Sequence, residues 1–184
     1  GSSSSAPRSA LSAWESSLRL SVGNGDGTFR AGIQFPAAFA NPGPIAVDDL
    51  NRDGRPDVLV SNFNSNSISV FLGFNGATSG GSFRASVPYA TGSRPGGGPN
   101  GVAIADFDRD GIPDIAVAAT YSNRIDLLRG SGNGTFLPPA SFSTLASPFA
   151  VAVGDVNRDG KLDLAVANAS TYSTSVLLGN GDAT

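Results

Sequence analysis

The sequence predicts an all-β chain of four-stranded antiparallel blades, about three of them, of the propeller type. Two repeats predict it. A nine-residue pattern, Asp-x-[Asn/Asp]-Arg-Asp-Gly-x-[Pro/Leu]-Asp, occurs as DLNRDGRPD at 49–57, DFDRDGIPD at 106–114 and DVNRDGKLD at 155–163. A glycine-rich run recurs as SVGNGDGTF at 21–29, RGSGNGTF at 129–136 and LLGNGDAT at 177–184, with a looser LGFNGATSGGSF at 72–83. The nine-residue loops start 57 and then 49 residues apart. That period holds four short strands and their turns, the content of one blade.

The elements follow in order. Strand a of each unit comes after a proline, as in Pro44-Ile45-Ala46-Val47, Pro99 to Ile104 and Pro148 to Val153. It runs into the nine-residue loop, which runs into strand b: DVLVSN, DIAVAA or DLAVAN. These runs are short, apolar and bounded by Asp or Gly, which suits a strand buried on both faces rather than a helix. In the middle unit, RIDLLRG at 124–130 reads as strand c, and roughly 135–142 as strand d. The glycine-rich run joins c to d, because Gly, Asn and Asp tolerate the positive φ of a tight reversal. The stretch 18–39 supplies a strand c, the turn 23–29 and a strand d, and the other end supplies strands a, b and c. The domain reading is a Ser/Ala/Pro-rich linker or tail over 1–17 and a three-repeat segment over 18–184. Leu11, Trp14 and Leu18 have the spacing of one amphipathic helical turn, and an irregular tail fits them equally.

The nine-residue loop has the chemistry of a cage for a hard cation. Calcium takes about 6–8 oxygen ligands, and a curled loop offers them at alternate positions. Position 1 is Asp49, Asp106 and Asp155; position 3 is Asn51, Asp108 and Asn157; position 5 is Asp53, Asp110 and Asp159. Position 6 is always Gly, for the sharp turn. Position 7 is Arg55, Ile112 and Lys161, variable as expected where only the backbone carbonyl is used. Position 9, Asp57, Asp114 and Asp163, closes the cage. These loops hold ten of the fifteen acidic residues, which a merely solvated surface would scatter. Asx-rich turns with glycine also form without metal, but three copies with the same ligand positions favour three calcium sites. An EF-hand loop would need a bidentate Glu at position 12 and flanking helices. Position 12 is Val60, Val117 and Val166, within strand-like flanks.

The order of proline, strand a, Asp-rich loop, strand b, strand c and Gly-Asn-Gly turn resembles the FG-GAP or VCBS-type repeat of integrin α-subunit propellers and many secreted bacterial proteins. The resemblance covers nearly everything from about Ser17 onward. It implies a calcium-stabilised β-propeller that binds calcium at 49–57, 106–114 and 155–163. Such propellers usually have about six to eight blades, more than are present here.

Composition narrows the function. With no His and no Cys, the chain lacks an imidazole base, a thiol nucleophile and the usual zinc ligands. Its one Glu, Glu15, lies in the tail, and Asp26, Asp48, Asp126 and Asp182 are the carboxylates left outside the loops. They form no pair of the kind glycoside hydrolysis needs. No enzyme activity is expected. Twelve dispersed basic residues against fifteen acidic ones leave no nucleic-acid footprint, and no apolar run is long enough for a membrane span. The expected function is an extracellular or cell-surface calcium-stabilised module with a structural or adhesive role, binding protein or glycan. The alternative is an accessory propeller domain or fragment of a larger secreted hydrolase or lyase. The expected partners are other protein chains, reached by β-strand addition into a homo-oligomer or filament, or the rest of a longer propeller. Asn133 and Asn168 begin sequons.

Overall fold

In the computed structural model, the described residues are 17–21, 23–29, 31–36, 41–74, 82–91 and 98–184. Most of the tail, with Leu11 and Trp14, lies outside them.

The described residues form blades, as the repeats require. A first two-stranded unit pairs β1 (Ser17–Leu20) with β2 (Ile33–Pro36). Blade 1 contains β3 (Pro42–Asp48), β4 (Asp57–Asn62), β5 (Ser67–Phe71) and β8 (Val87–Ala90), hydrogen-bonded in that order. Between β5 and β8 a short ribbon, β6 (Gly73–Phe74) with β7 (Ser82–Phe83), is the stretched form of the glycine-rich turn. Blade 2 contains β9 (Pro99–Ala105), β10 (Asp114–Ala119), β11 (Arg124–Leu128) and β12 (Ala140–Ser143). A third sheet has β13 (Pro148–Gly154), β14 (Asp163–Asn168) and β15 (Ser173–Leu177). All pairings are antiparallel. The b-to-c connections are 3₁₀ turns at 63–65, 120–122 and 169–171.

The expected strand d at 135–142 begins later, at Ala140. Pro138 and Pro139 offer no N–H to a ladder, so pairing waits until they are passed. The glycine-rich turn of the middle unit is closed by a bridge between Gly130 and Phe136, and its counterpart by one between Gly23 and Phe29.

Alternation along strand b assembles the blades. In β10, Ile115 and Val117 point toward blade 1, into a cluster with Leu50, Leu59, Ile68 and Val70. Ala116 and Ala118 point the other way, into a cluster with Ile125, Leu164 and Val166. In β4, Val58 and Val60 meet Leu18 of β1 and Phe35 of β2. A period-2 apolar strand thus serves two interfaces at once. Both β4 and β10 are buried along their whole length. Strand β14 departs from that expectation, since Ala167 is exposed and Ala165 half-buried. Their faces look away from blade 2, where no further blade stands among the described residues.

In the first two loops the position after the leading Asp is also part of the core, whereas Val156 of the third is exposed. Leu50 and Phe107 are buried in the seams beyond their own blades. Rings stack across the seams as well: Phe83 lies edge-on to Phe35 at 5.1 Å between centroids, and Phe136 to Tyr89 at 5.3 Å. Such pairs add roughly 0.5–1.5 kcal/mol beyond the area they bury.

Candidate metal centres

Each Asp-rich loop is wound by its own carboxylates, in the same way three times. The position-1 carboxylate accepts from the N–H groups of positions 5 and 6: Asp49 from Asp53 (3.0 Å) and Gly54 (2.7 Å), Asp106 from Asp110 (3.1 Å) and Gly111 (2.9 Å), Asp155 from Asp159 (3.1 Å) and Gly160 (2.8 Å). The position-5 N–H is shared with the position-3 oxygen of Asn51, Asp108 or Asn157. The position-5 carboxylate accepts from the position-7 N–H, as Asp53 from Arg55, Asp110 from Ile112 and Asp159 from Lys161. These bonds curl the chain so tightly that Gly54, Gly111 and Gly160 sit at φ near +80°. The position-4 arginines, Arg52, Arg109 and Arg158, also sit at φ of 59°, 63° and 62°. A left-handed conformation costs a non-glycine residue on the order of 1 kcal/mol, so three such residues mark a loop whose shape is imposed by its bonds.

Position 9 has a further role that ligand-pattern reasoning missed. Asp57, Asp114 and Asp163 are buried at the start of strand b. One oxygen of each accepts the position-2 N–H, from Leu50 (2.8 Å), Phe107 (3.0 Å) and Val156 (2.9 Å). The other accepts from the glycine that opens the next glycine-rich turn: Gly73 (2.7 Å), Gly130 (2.8 Å) and Gly179 (2.9 Å). That glycine is required, because a Cβ at any of the three would overlap the carbonyl oxygen of Pro56, Pro113 or Leu162. One carboxylate therefore ties loop, strand b and the c–d turn together. The signal was available in the sequence: a fixed Gly follows each position-9 Asp by 16 residues.

In the middle loop, one carboxylate oxygen from each of Asp106, Asp108 and Asp114 lies within 4.8 Å of the others. Three like-charged groups at that spacing repel one another unless a cation or protons intervene. The all-oxygen donor set suits calcium or another hard divalent ion. In the outer loops Asn51 and Asn157 replace the position-3 carboxylate, and their amide groups donate to Asp53 (3.2 Å) and Asp159 (3.1 Å). Arg55 pairs with Asp53 at 3.1 Å and Lys161 with Asp159 at 3.9 Å, both on the surface. Of the fifteen expected ligand residues, positions 1, 3 and 9 of the middle loop converge. Positions 5 and 7 are joined to each other in all three loops.

Burial pushes the Asp57 and Asp114 carboxyls above the usual carboxylate range, against the pull of their two backbone donors, and the nearby loop carboxylates add to the rise. A raised folded-state value means that the folded chain binds the proton better than the unfolded one. In metal-free protein their stabilising contribution is therefore full below the unfolded value, about 3.9, and is lost as pH rises through the folded value. Calcium, which takes the charged form, is expected to reverse that trend. Carboxyl-carbon NMR titrations with and without a chelator would check this: the Asp114 midpoint should lie high without calcium and fall with it.

Successive loops touch. The Arg109 guanidinium donates to the Gly160 carbonyl in the loop of the third sheet. The Arg52 guanidinium lies against Gly111, 3.6 Å from where a Cβ would stand. Each reaches the position-6 glycine of the next loop. Arg109→Ala is expected to loosen the third loop, with faster hydrogen exchange of the 160–162 amides and little change in the first loop.

The four aspartates outside the loops are all engaged. Asp26 and Asp182 accept from Thr28 and Thr184 within their turns, and Asp48 accepts from the Asp49 N–H. Asp126 is fully buried, 2.8 Å from Arg124 Nε, and accepts from Ser141 Oγ at 2.6 Å.

A family model of FG-GAP-like repeats matches residues 10–60, 49–117 and 106–166. Among solved structures, a chain of a Photorhabdus luminescens Tc holotoxin pore with a mutation in TccC3 is similar in fold. Its TM-score is 0.50 at 16% identity, covering 88% of this chain and 8% of that one. No curated protein matches.

Proposed function

The chain belongs to the FG-GAP-like repeat family, and from that membership we propose that it is a calcium-stabilised β-propeller module of an extracellular or cell-surface protein, with a structural or adhesive role. The convergence of Asp106, Asp108 and Asp114, in a loop bonded the same way in three successive blades, carries this reading. Such loops add rigidity where calcium is plentiful: sites of about 10⁻⁴–10⁻³ M affinity suit extracellular modules. The chain acts by presenting surface rather than by catalysis. Among the described residues its carboxylates are committed to loop, turn or ion pair, and the chain has neither His nor Cys. Protein chains or glycans are the ligands that such a surface would take. Strand addition at a free sheet edge is the mode by which it would join other chains.

A related reading is that the module serves within a much larger secreted protein, including a hydrolase or lyase to which it is accessory. The share of the similar Tc toxin chain that is covered, 8%, favours a module of this kind. No helix among the described residues is long and apolar enough to cross a membrane.

Calorimetric titration tests the metal reading. The middle loop offers four carboxylates, and each outer loop three with one Asn. More ligand charge generally tightens calcium binding, so the middle site should bind tightest. Asp106→Ala should then remove the tightest component, and Asp49→Ala and Asp155→Ala weaker ones. A titration in which Asp106→Ala removes the weakest component would overturn the ranking.

A further inference from the structure

The ligand pattern gives the position-4 arginines no role, yet one of them bridges two loops. Arg109 stands between Asp108 and Asp110, two expected ligands of the middle loop, at a φ of 63°. Its guanidinium crosses the seam between blade 2 and the third sheet and donates to the Gly160 carbonyl. It also lies 3.7 Å from where a Gly160 Cβ would stand and 3.5 Å from the same point at Gly181. Phe107, two residues earlier, is buried in that seam with Leu164 and Val166. The middle loop is thus anchored on its neighbour at the residues before and after Asp108.

What Arg109 grips is the peptide unit between Gly160 and Lys161. The carbonyl of that unit takes the guanidinium, and its N–H donates to the Asp159 carboxylate at 2.8 Å. A charged donor at one end of a peptide unit polarises it and strengthens the bond at the other end. Asp159 is the expected position-5 ligand, and the Lys161 carbonyl, expected at position 7, comes next along the chain. Arg109 therefore fixes the plane that orients two ligands of the third loop. Its own root belongs to the second loop, where the Asp110 N–H is shared between Asp106 (3.1 Å) and Asp108 (3.3 Å). A cation gathered by these carboxylates would immobilise both chain neighbours of Arg109.

We propose that Arg109 is a positioning residue that couples the second and third loops, so that calcium in either one tightens the other. This rests on the calcium reading above and adds an order of filling to it. The sign follows from the contacts. The guanidinium repels a cation arriving in the third loop, but Arg109 and Gly160 are both exposed, and salt screens charges at the surface. The ordering of Asp159 and of the Lys161 carbonyl is not screened. Ordering that is already in place when the second ion arrives gives positive cooperativity.

Amide NMR of the full chain during a calcium titration gives a midpoint for each loop, read at Gly54, Gly111 and Gly160. Asp108→Ala removes a ligand of the second loop and leaves the two Asp106 bonds that wind it. It should raise the calcium concentration that fills the third loop at least about fivefold, the lower end of typical couplings. Arg109→Ala should raise it at least as much, with the first-loop midpoint unchanged. The double variant should match Arg109→Ala alone, the non-additivity of two residues acting through one contact. Arg109→Lys keeps a cationic donor and should recover part of the loss. Linkage is reciprocal, so Asp155→Ala should weaken the second loop by a similar factor, and cease to do so beside Arg109→Ala. A third-loop midpoint that Asp108→Ala leaves unchanged or lowers, or raises equally beside Arg109→Ala, would overturn the coupling and leave the calcium reading standing. No calcium response at any of the three glycines would overturn both.

Discussion

Asp114→Ala is expected to destabilise the chain by roughly 2–6 kcal/mol, because two backbone donors are left unsatisfied at about 1–3 kcal/mol each. Its two oxygens satisfy the N–H groups of Phe107 and Gly130, and the carboxylate is fully buried. Alanine leaves both donors without their acceptor. Asparagine offers one oxygen and turns an NH₂ toward the second N–H, so Asp114→Asn should lose nearly as much. The effect should appear in chelator as well as in calcium, because the lost bonds lie within the protein. Urea unfolding followed by circular dichroism measures it. Equal midpoints for wild type and Asp114→Ala in chelator would mean that position 9 acts only as a metal ligand.

Removal of calcium is the second large effect. Binding to the folded state alone stabilises by RT ln(1 + [L]/Kd), about 2.7 kcal/mol per site at a hundredfold excess over Kd. A change of 1 kcal/mol shifts the melting temperature of a domain this size by about 2–4 °C. Three sites together then predict a fall on the order of 20 °C in excess chelator. Asp110→Ala, which disturbs only the middle loop, should give a part of that fall and leave the outer loops responsive. A chelator melt that overlays the calcium melt would remove the structural role of the ions.

Much of this architecture is legible in the sequence because the loop is written in oxygen side chains at fixed spacing, and strand b follows it at once. Strands a, b and c fall where the Pro, Asp and apolar runs place them. Strand d was less legible, since Pro138 and Pro139 delay pairing and the insertion within 72–83 stretches the turn of blade 1. The double duty of Asp57, Asp114 and Asp163 was hidden because their partners are backbone N–H groups, which every residue has. Asp126 looked uncommitted for two reasons: Arg124 shares its face of β11 two residues away, a period-2 pairing that was passed over, and Ser141 reaches it only through the register of β11 and β12. The ring pairs across the seams had a signal that pattern-reading passed over. Phe29, Phe83 and Phe136 end the turns, and Phe35, Tyr89 and Phe142 sit at one register in strand d.

The central claim is that each Asp-rich loop holds one calcium ion. Native mass spectrometry of the chain in calcium tests it most directly. Three bound ions per chain are predicted, with Asp49→Ala, Asp106→Ala and Asp155→Ala each removing one. A chain that retains no specific calcium, or a count that these three substitutions leave unchanged, would contradict the claim.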